Sequence, residues 1–104
     1  MSHAINRDQI NEIAYFGLGT PLQYTAFDAD TAAFVTSDQR NANIKFDQDG
    51  AKKLFDSANV KDQDGDGDRD LPNGQEFRLN IQFATQGVAA QVVEIIAQNW
   101  SDIG

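Results

Sequence analysis

The order of two neighbouring patterns near the end of the chain limits its fold most. In E-F-R-L-N-I-Q-F-A, residues 76–84, Phe77, Leu79, Ile81 and Phe83 alternate with Arg78, Asn80 and Gln82, the period-two signature of a strand with one buried face. Directly afterwards Val88, Val92, Ile96, Trp100 and Ile103 recur at steps of four, four, four and three, which predicts a long amphipathic helix starting near Thr85. A helix returning along a strand asks for a second, parallel strand beside the first, and the residues up to Gly104 supply none. The expected fold class is therefore α/β: about three helices packed on a small mixed sheet, within one domain over residues 1–104 that reads as cut at both ends.

The first half supplies the other helices. Asn6 is placed to cap and Gln9 to close a capping box, so a helix is predicted from about Arg7 to Tyr15, with Ile10, Ile13 and Ala14 on its apolar side. Gly17 and Gly19, ahead of Thr20-Pro21, break it. Residues 18–46 carry Phe27, Phe34 and Phe46 without a sustained period and read as mostly loop. A second helix follows, capped by Asp47, with Ala51, Leu54, Phe55 and Ala58 as its buried stripe and Asn59 suited to the left-handed position that ends it.

Charge and composition exclude several functions. Eight Lys and Arg against sixteen Asp and Glu give a net charge of −8, which repels nucleic-acid phosphates, so no nucleic-acid partner is expected. The chain has no Cys and one His, His3, which removes thiolate chemistry, zinc-thiolate sites and a histidine-based triad. No apolar run reaches membrane-spanning length, and the first residues lack the basic and apolar regions of a signal peptide. No carboxylate sits in a context that would raise its pKa for acid–base work. The chain is not expected to be an enzyme.

The stretch D-Q-D-G-D-G-D-R-D, Asp62 to Asp70, invites a calcium reading. An EF-hand frame started at Asp62 puts Asp62, Asp64, Asp66, the Asp68 carbonyl and Asp70 at ligand positions, with Gly67 at the obligatory turn. It fails at the twelfth position, where Asn73 offers no bidentate carboxylate, and at the eighth, where Arg69 replaces an apolar anchor. A strand, rather than a helix, is predicted to follow. The plain reading is a solvated helix-to-strand connection whose Asp and Gly residues satisfy turn geometry; the rival is a weak calcium site at Asp62, Asp64, Asp66, Asp68 and Asp70 that orders the loop. G-L-G-T-P, residues 17–21, follows a helix instead of leading from a strand into one, so it reads as a helix stop and turn rather than a phosphate cradle. The strand-to-helix junction at Ala84, Thr85 and Gln86 is the better ligand candidate, because open α/β sheets bind ligands beyond the carboxyl ends of strands, where helix amides point. Its plain alternative is a helix cap by Thr85. Trp100 falls on the apolar stripe with Ile96 and Ile103 and reads as core.

Taken in order, H-A-I-N-R-D-Q-I, Y-F-G-L-G-T-P, F-D-Q-D-G-A-K-K-L-F-D-S-A, D-Q-D-G-D-G-D-R-D-L-P-N-G running into F-R-L-N-I-Q-F, and V-V-E-I-I-A-Q-N-W-S-D-I-G resemble segments of the extracellular solute-binding proteins of bacterial ABC importers, in the family that binds oligopeptides, dipeptides and nickel complexes. The resemblance covers nearly the whole chain. Asn6, Phe46 and Gln48 depart from the Asp, Tyr and Pro usual there, conserving capping or packing. The resemblance implies a periplasmic-binding-protein-like fold of type II, of which this chain would be part of the C-terminal lobe. It also implies capture of peptides or related solutes in a cleft between two lobes, with Ala84, Thr85 and Gln86 at that cleft. The partner would be a membrane ABC permease. The location would be periplasmic or extracellular, with attachment to the membrane through a preceding part. No cofactor is implied, calcium at the aspartate stretch apart. Apolar surface left by the absent strand would favour a homodimer of the fragment. The rival function is an independent calcium-binding scaffold or adhesion module built on Asp62 to Asp70.

Overall fold

The computed structural model describes residues 1–23 and 34–104. Phe27 and the middle of the expected loop therefore lie outside the described residues. Among the described residues, a 3-10 turn at Ser2–Ala4 precedes four helices: α1 (Arg7–Tyr15), α2 (Ser37–Arg40), α3 (Gln48–Ser57) and α4 (Ala90–Ser101).

The starts of α1, α2 and α3 each have a side-chain cap. Asn6 caps α1 as expected, its Oδ1 accepting the Gln9 N–H at 3.1 Å. The other half of the capping box is different: the Asn6 N–H donates to Oδ1 of Asn99, at 2.7 Å, and not to Gln9. Asn99, on the predicted apolar helix, is thus a buried polar residue that ties the start of α1 to the end of α4. Asp47 caps α3, its Oδ1 accepting the Gly50 N–H at 2.8 Å, and Asn59 takes the left-handed φ of +58° just past the helix end. α2 breaks the expected loop. Thr36 and Gln39 form a reciprocal capping box there, the Thr36 Oγ1 accepting the Gln39 N–H and the Gln39 Oε1 accepting the Thr36 N–H.

Two expectations about the second half are corrected. α4 begins at Ala90, not near Thr85, and its cap residue Ala89 offers no side-chain bond. Residues 84–88 turn first, with the N–H groups of Gly87 and Val88 both donating to the Ala84 carbonyl. Gly87 is the physical reason: within a helix it would cost about 1 kcal/mol relative to Ala. The mixed sheet is also absent, since no strand is present among the described residues; only isolated antiparallel bridges join Lys61 to Asp70 and Asp70 to Glu76. That ladder reaches the Phe77 N–H, which donates to the Arg69 carbonyl at 2.8 Å, and then stops. Continued in the same register, residues 78–83 would face 68–63. Those residues are folded into turns closed by their own aspartates, so the alternating segment has no ladder to join.

α3 packs on the 3-10 turn and α1 on α4. Hydrogen bonds stitch the chain's start to the stretch before α3: His3 O accepts the Asp47 N–H, Ser2 Oγ donates to Asn43 O, and Arg7 Nη1 donates to the carbonyls of Ser2 and Ile44. The core is thin. Ala4, Ala51 and Ile103 are buried, and Phe55 and Trp100 pack partly buried against them. Leu79, Ile81 and Phe83, the would-be buried face of the strand, remain 47%, 39% and 42% exposed.

The inter-helix bond gives a direct test. Asn99→Ala removes the acceptor for the Asn6 N–H at a site where Asn99 is 6% exposed, and is expected to cost about 1–3 kcal/mol in urea denaturation. A loss within about 0.3 kcal/mol would show that water replaces Asn99 freely.

Candidate functional site

The acidic stretch is organised around its one cation. Arg69 stands where a calcium loop has an apolar anchor, and in the structure it anchors by another route: it is 9% exposed and reaches inward. Its Nε donates to the Ile103 carbonyl at 2.7 Å, and its Nη1 donates to Asp56 Oδ1 at 2.7 Å and to the Val60 carbonyl at 2.6 Å. The guanidinium also lies 5.3 Å from the centroid of the Phe55 ring, a cation–π contact, and Phe55 meets Phe77 with ring centroids 5.7 Å apart. Gly104, at φ +102°, closes over the side chain; a Cβ there would sit 2.9 Å from Arg69 Cγ. One side chain thus joins the end of α3, the aspartate turn and the residues after α4. In the sequence Arg69 stands out only as a break in the calcium motif; the signal of its inward role is that it is the lone basic residue among five aspartates.

The aspartates close the turn on itself. Asp62 accepts the N–H groups of Gly65 and Gly67 at 2.6 and 3.0 Å, Asp64 that of Asp66 at 3.2 Å, Asp66 that of Asp68 at 2.9 Å, and Asp70 that of Gln63 at 2.9 Å. Gly65 and Gly67 hold φ of +87° and +102°, where a side chain would be strained. Asp62, Asp64 and Asp70 each bring one carboxylate oxygen within 4.8 Å of the others; Asp66 and Asp68 do not join them. Of the five aspartates named as calcium ligands, three therefore converge. Two of those, Asp62 and Asp64, are exposed, and Asp70 is buried.

The junction residues Ala84, Thr85 and Gln86 sit on an exposed turn before α4, so the helix amides they were expected to share belong to residues further along. G-L-G-T-P is pinned to the helix it ends: Asn11 Nδ2 donates to the Gly19 carbonyl at 3.0 Å and its Oδ1 accepts the Gly19 N–H at 2.9 Å. That N–H is therefore not available to an anion, in keeping with a helix stop. Among the described residues, an open cavity of about 280 Å³ lies at the aspartate turn, against Asp62, Gly67 and Arg69, and two others have largely apolar walls. One, of about 370 Å³, lies between α1 and this loop, against Arg7, Ile10, Tyr15 and Leu22. The other, of about 260 Å³, is lined by Phe55, Phe77, Leu79, Ile81, Ala97 and Trp100 among others. Trp100 joins the core cluster as expected, and its Nε1 is buried with no hydrogen-bond partner among the described residues. Beside the cavity that Trp100 lines, Arg78 is held above the ordinary guanidinium pKa by its hydrogen bond to Glu76, and by the Glu76 charge.

A structural role for the turn separates its aspartates. Asp62→Ala strands two backbone N–H groups and is expected to lower stability by about 1–2 kcal/mol. Asp68→Ala, whose carboxylate closes no turn, should stay within about 0.5 kcal/mol of the parent. Equal effects in thermal or urea unfolding would contradict that division.

Among known proteins, the family model described as bacterial extracellular solute-binding proteins, family 5 Middle, matches residues 1–104. No curated protein and no solved structure matches the chain.

Proposed function

The chain belongs to family 5 of the bacterial extracellular solute-binding proteins, and on that premise we propose that it forms part of the C-terminal lobe of a two-lobed receptor that captures peptides or related solutes. The receptor works outside the cytoplasmic membrane and hands its cargo to a membrane ABC permease. The observation carrying this reading is the family match along the full 104 residues. Affinity in such a receptor arises from closure: a ligand touching both lobes stabilises the closed state by its differential contacts. The exposed side chains of Thr85 and Gln86, with Ala84, are this lobe's contribution to the cleft. The chain binds and does no chemistry.

It follows that the 104 residues alone bind ligand weakly. Calorimetric titration with mixed oligopeptides is expected to show no saturable binding tighter than about 1 mM. Tight, saturable binding to this chain would contradict the two-lobe account.

The approach of Asp62, Asp64 and Asp70 favours a second reading, calcium held at the turn. Against it, four of the five aspartates already accept backbone N–H groups, so the turn closes without an ion. Calcium titration is expected to give no saturable heat and no shift in the unfolding midpoint; the calcium reading requires micromolar binding with a clear gain in stability.

A further inference from the structure

Residues 77–83 have an order that is nearly the same from either end. Phe77 matches Phe83, Arg78 matches Gln82, Leu79 matches Ile81, and Asn80 stands at the centre. Among the described residues, none of 78–83 makes a backbone hydrogen bond to another segment, because the residues that would continue the ladder are closed into aspartate turns. An edge with free N–H and C=O groups and exposed apolar side chains is a template for another strand.

We propose that this edge pairs antiparallel with the same edge of a second copy of the chain, about a two-fold axis at Asn80. In that register Phe77 of one copy faces Phe83 of the other, Leu79 faces Ile81, and Arg78 faces Gln82, each pair occurring twice as an isologous contact requires. The apolar residues, alternating along the segment, fall on one face. They include Leu79 and Ile81, which line the 260 Å³ cavity, so pairing sets the cavities of the two copies side by side. Charge selects this surface for self-association. The chain carries −8 overall, which opposes contact between copies, yet between Glu76 and Glu94 the single charge is Arg78. The two-fold register places it against a neutral amide, keeping like charges from facing one another. The inference does not depend on the proposed function, since it concerns the edge of this chain alone.

Sedimentation equilibrium of the 104-residue chain across a dilution series tests it. The expected result is a reversible monomer–dimer equilibrium. Gln82 is exposed, so its substitution leaves the fold intact, which circular dichroism verifies. Gln82→Glu sets a carboxylate opposite Arg78 twice and is expected to tighten the dimer about fivefold; Gln82→Arg sets two cations face to face and is expected to loosen it by a similar factor. Net charge alone demands the reverse order, because Gln82→Glu makes an acidic chain more acidic. A chain that stays monomeric throughout, equal constants for the two variants, or the order set by net charge would each overturn the proposal.

Discussion

The guanidinium of Arg69 holds together parts of this chain that have little else in common. Its bonds to Asp56, Val60 and Ile103 connect the end of α3 to the residues after α4, and its own backbone carries the aspartate turn. With a core of Ala4, Ala51 and Ile103 and, among the described residues, no large side chain fully buried, area burial contributes little, and directional contacts to charged groups weigh more than in a thick core. Such bonds contribute about 1.5–3 kcal/mol each where they satisfy groups that burial would otherwise leave bare. Asp56 remains half exposed, so the ion pair itself adds under about 1 kcal/mol. The two backbone carbonyls and the stacking on Phe55 supply the rest of the anchor.

That anchoring accompanies a turn in which five aspartates crowd into nine residues. Four of the five carboxylates close on N–H groups of the run itself, glycines accept the positive φ angles, and the one cation in the run turns into the protein. The same closure removes the strand partner that residues 78–83 would have had. The aspartate turn and the bare edge are two consequences of one local arrangement.

What the sequence made legible was mostly local. Asn6, Asp47 and Asn59 act at helix ends as their chemistry dictates, but only half of the expected stripe of α3 turns inward: Ala51 is buried and Phe55 partly so, while Leu54, 58% exposed, and Ala58 face outward. The box formed by Thr36 and Gln39 was present in the sequence, hidden within a stretch lacking any apolar period. What failed was non-local. Alternation over residues 77–83 specifies which side chains share a face, but a strand exists only where another segment presents its N–H and C=O groups. Asn99 and Arg69 could not be assigned either, because the partners Asn6 and Ile103 lie far along the chain, and Asp56 and Val60 belong to the end of α3 rather than to the turn of Arg69 itself. Of the site, the aspartate turn was recognised as a turn, while the convergence of only Asp62, Asp64 and Asp70 depended on how that turn closes.

Amide hydrogen exchange in Arg69→Met tests the central claim most directly, since the substitution keeps apolar bulk and removes every donor. If Arg69 organises the turn and the ladder beside it, the amides of Gln63, Gly65, Gly67, Asp70 and Phe77 exchange together at least about tenfold faster than in the parent chain. Unchanged protection at those amides would show that the turn holds itself and that the guanidinium only rests upon it.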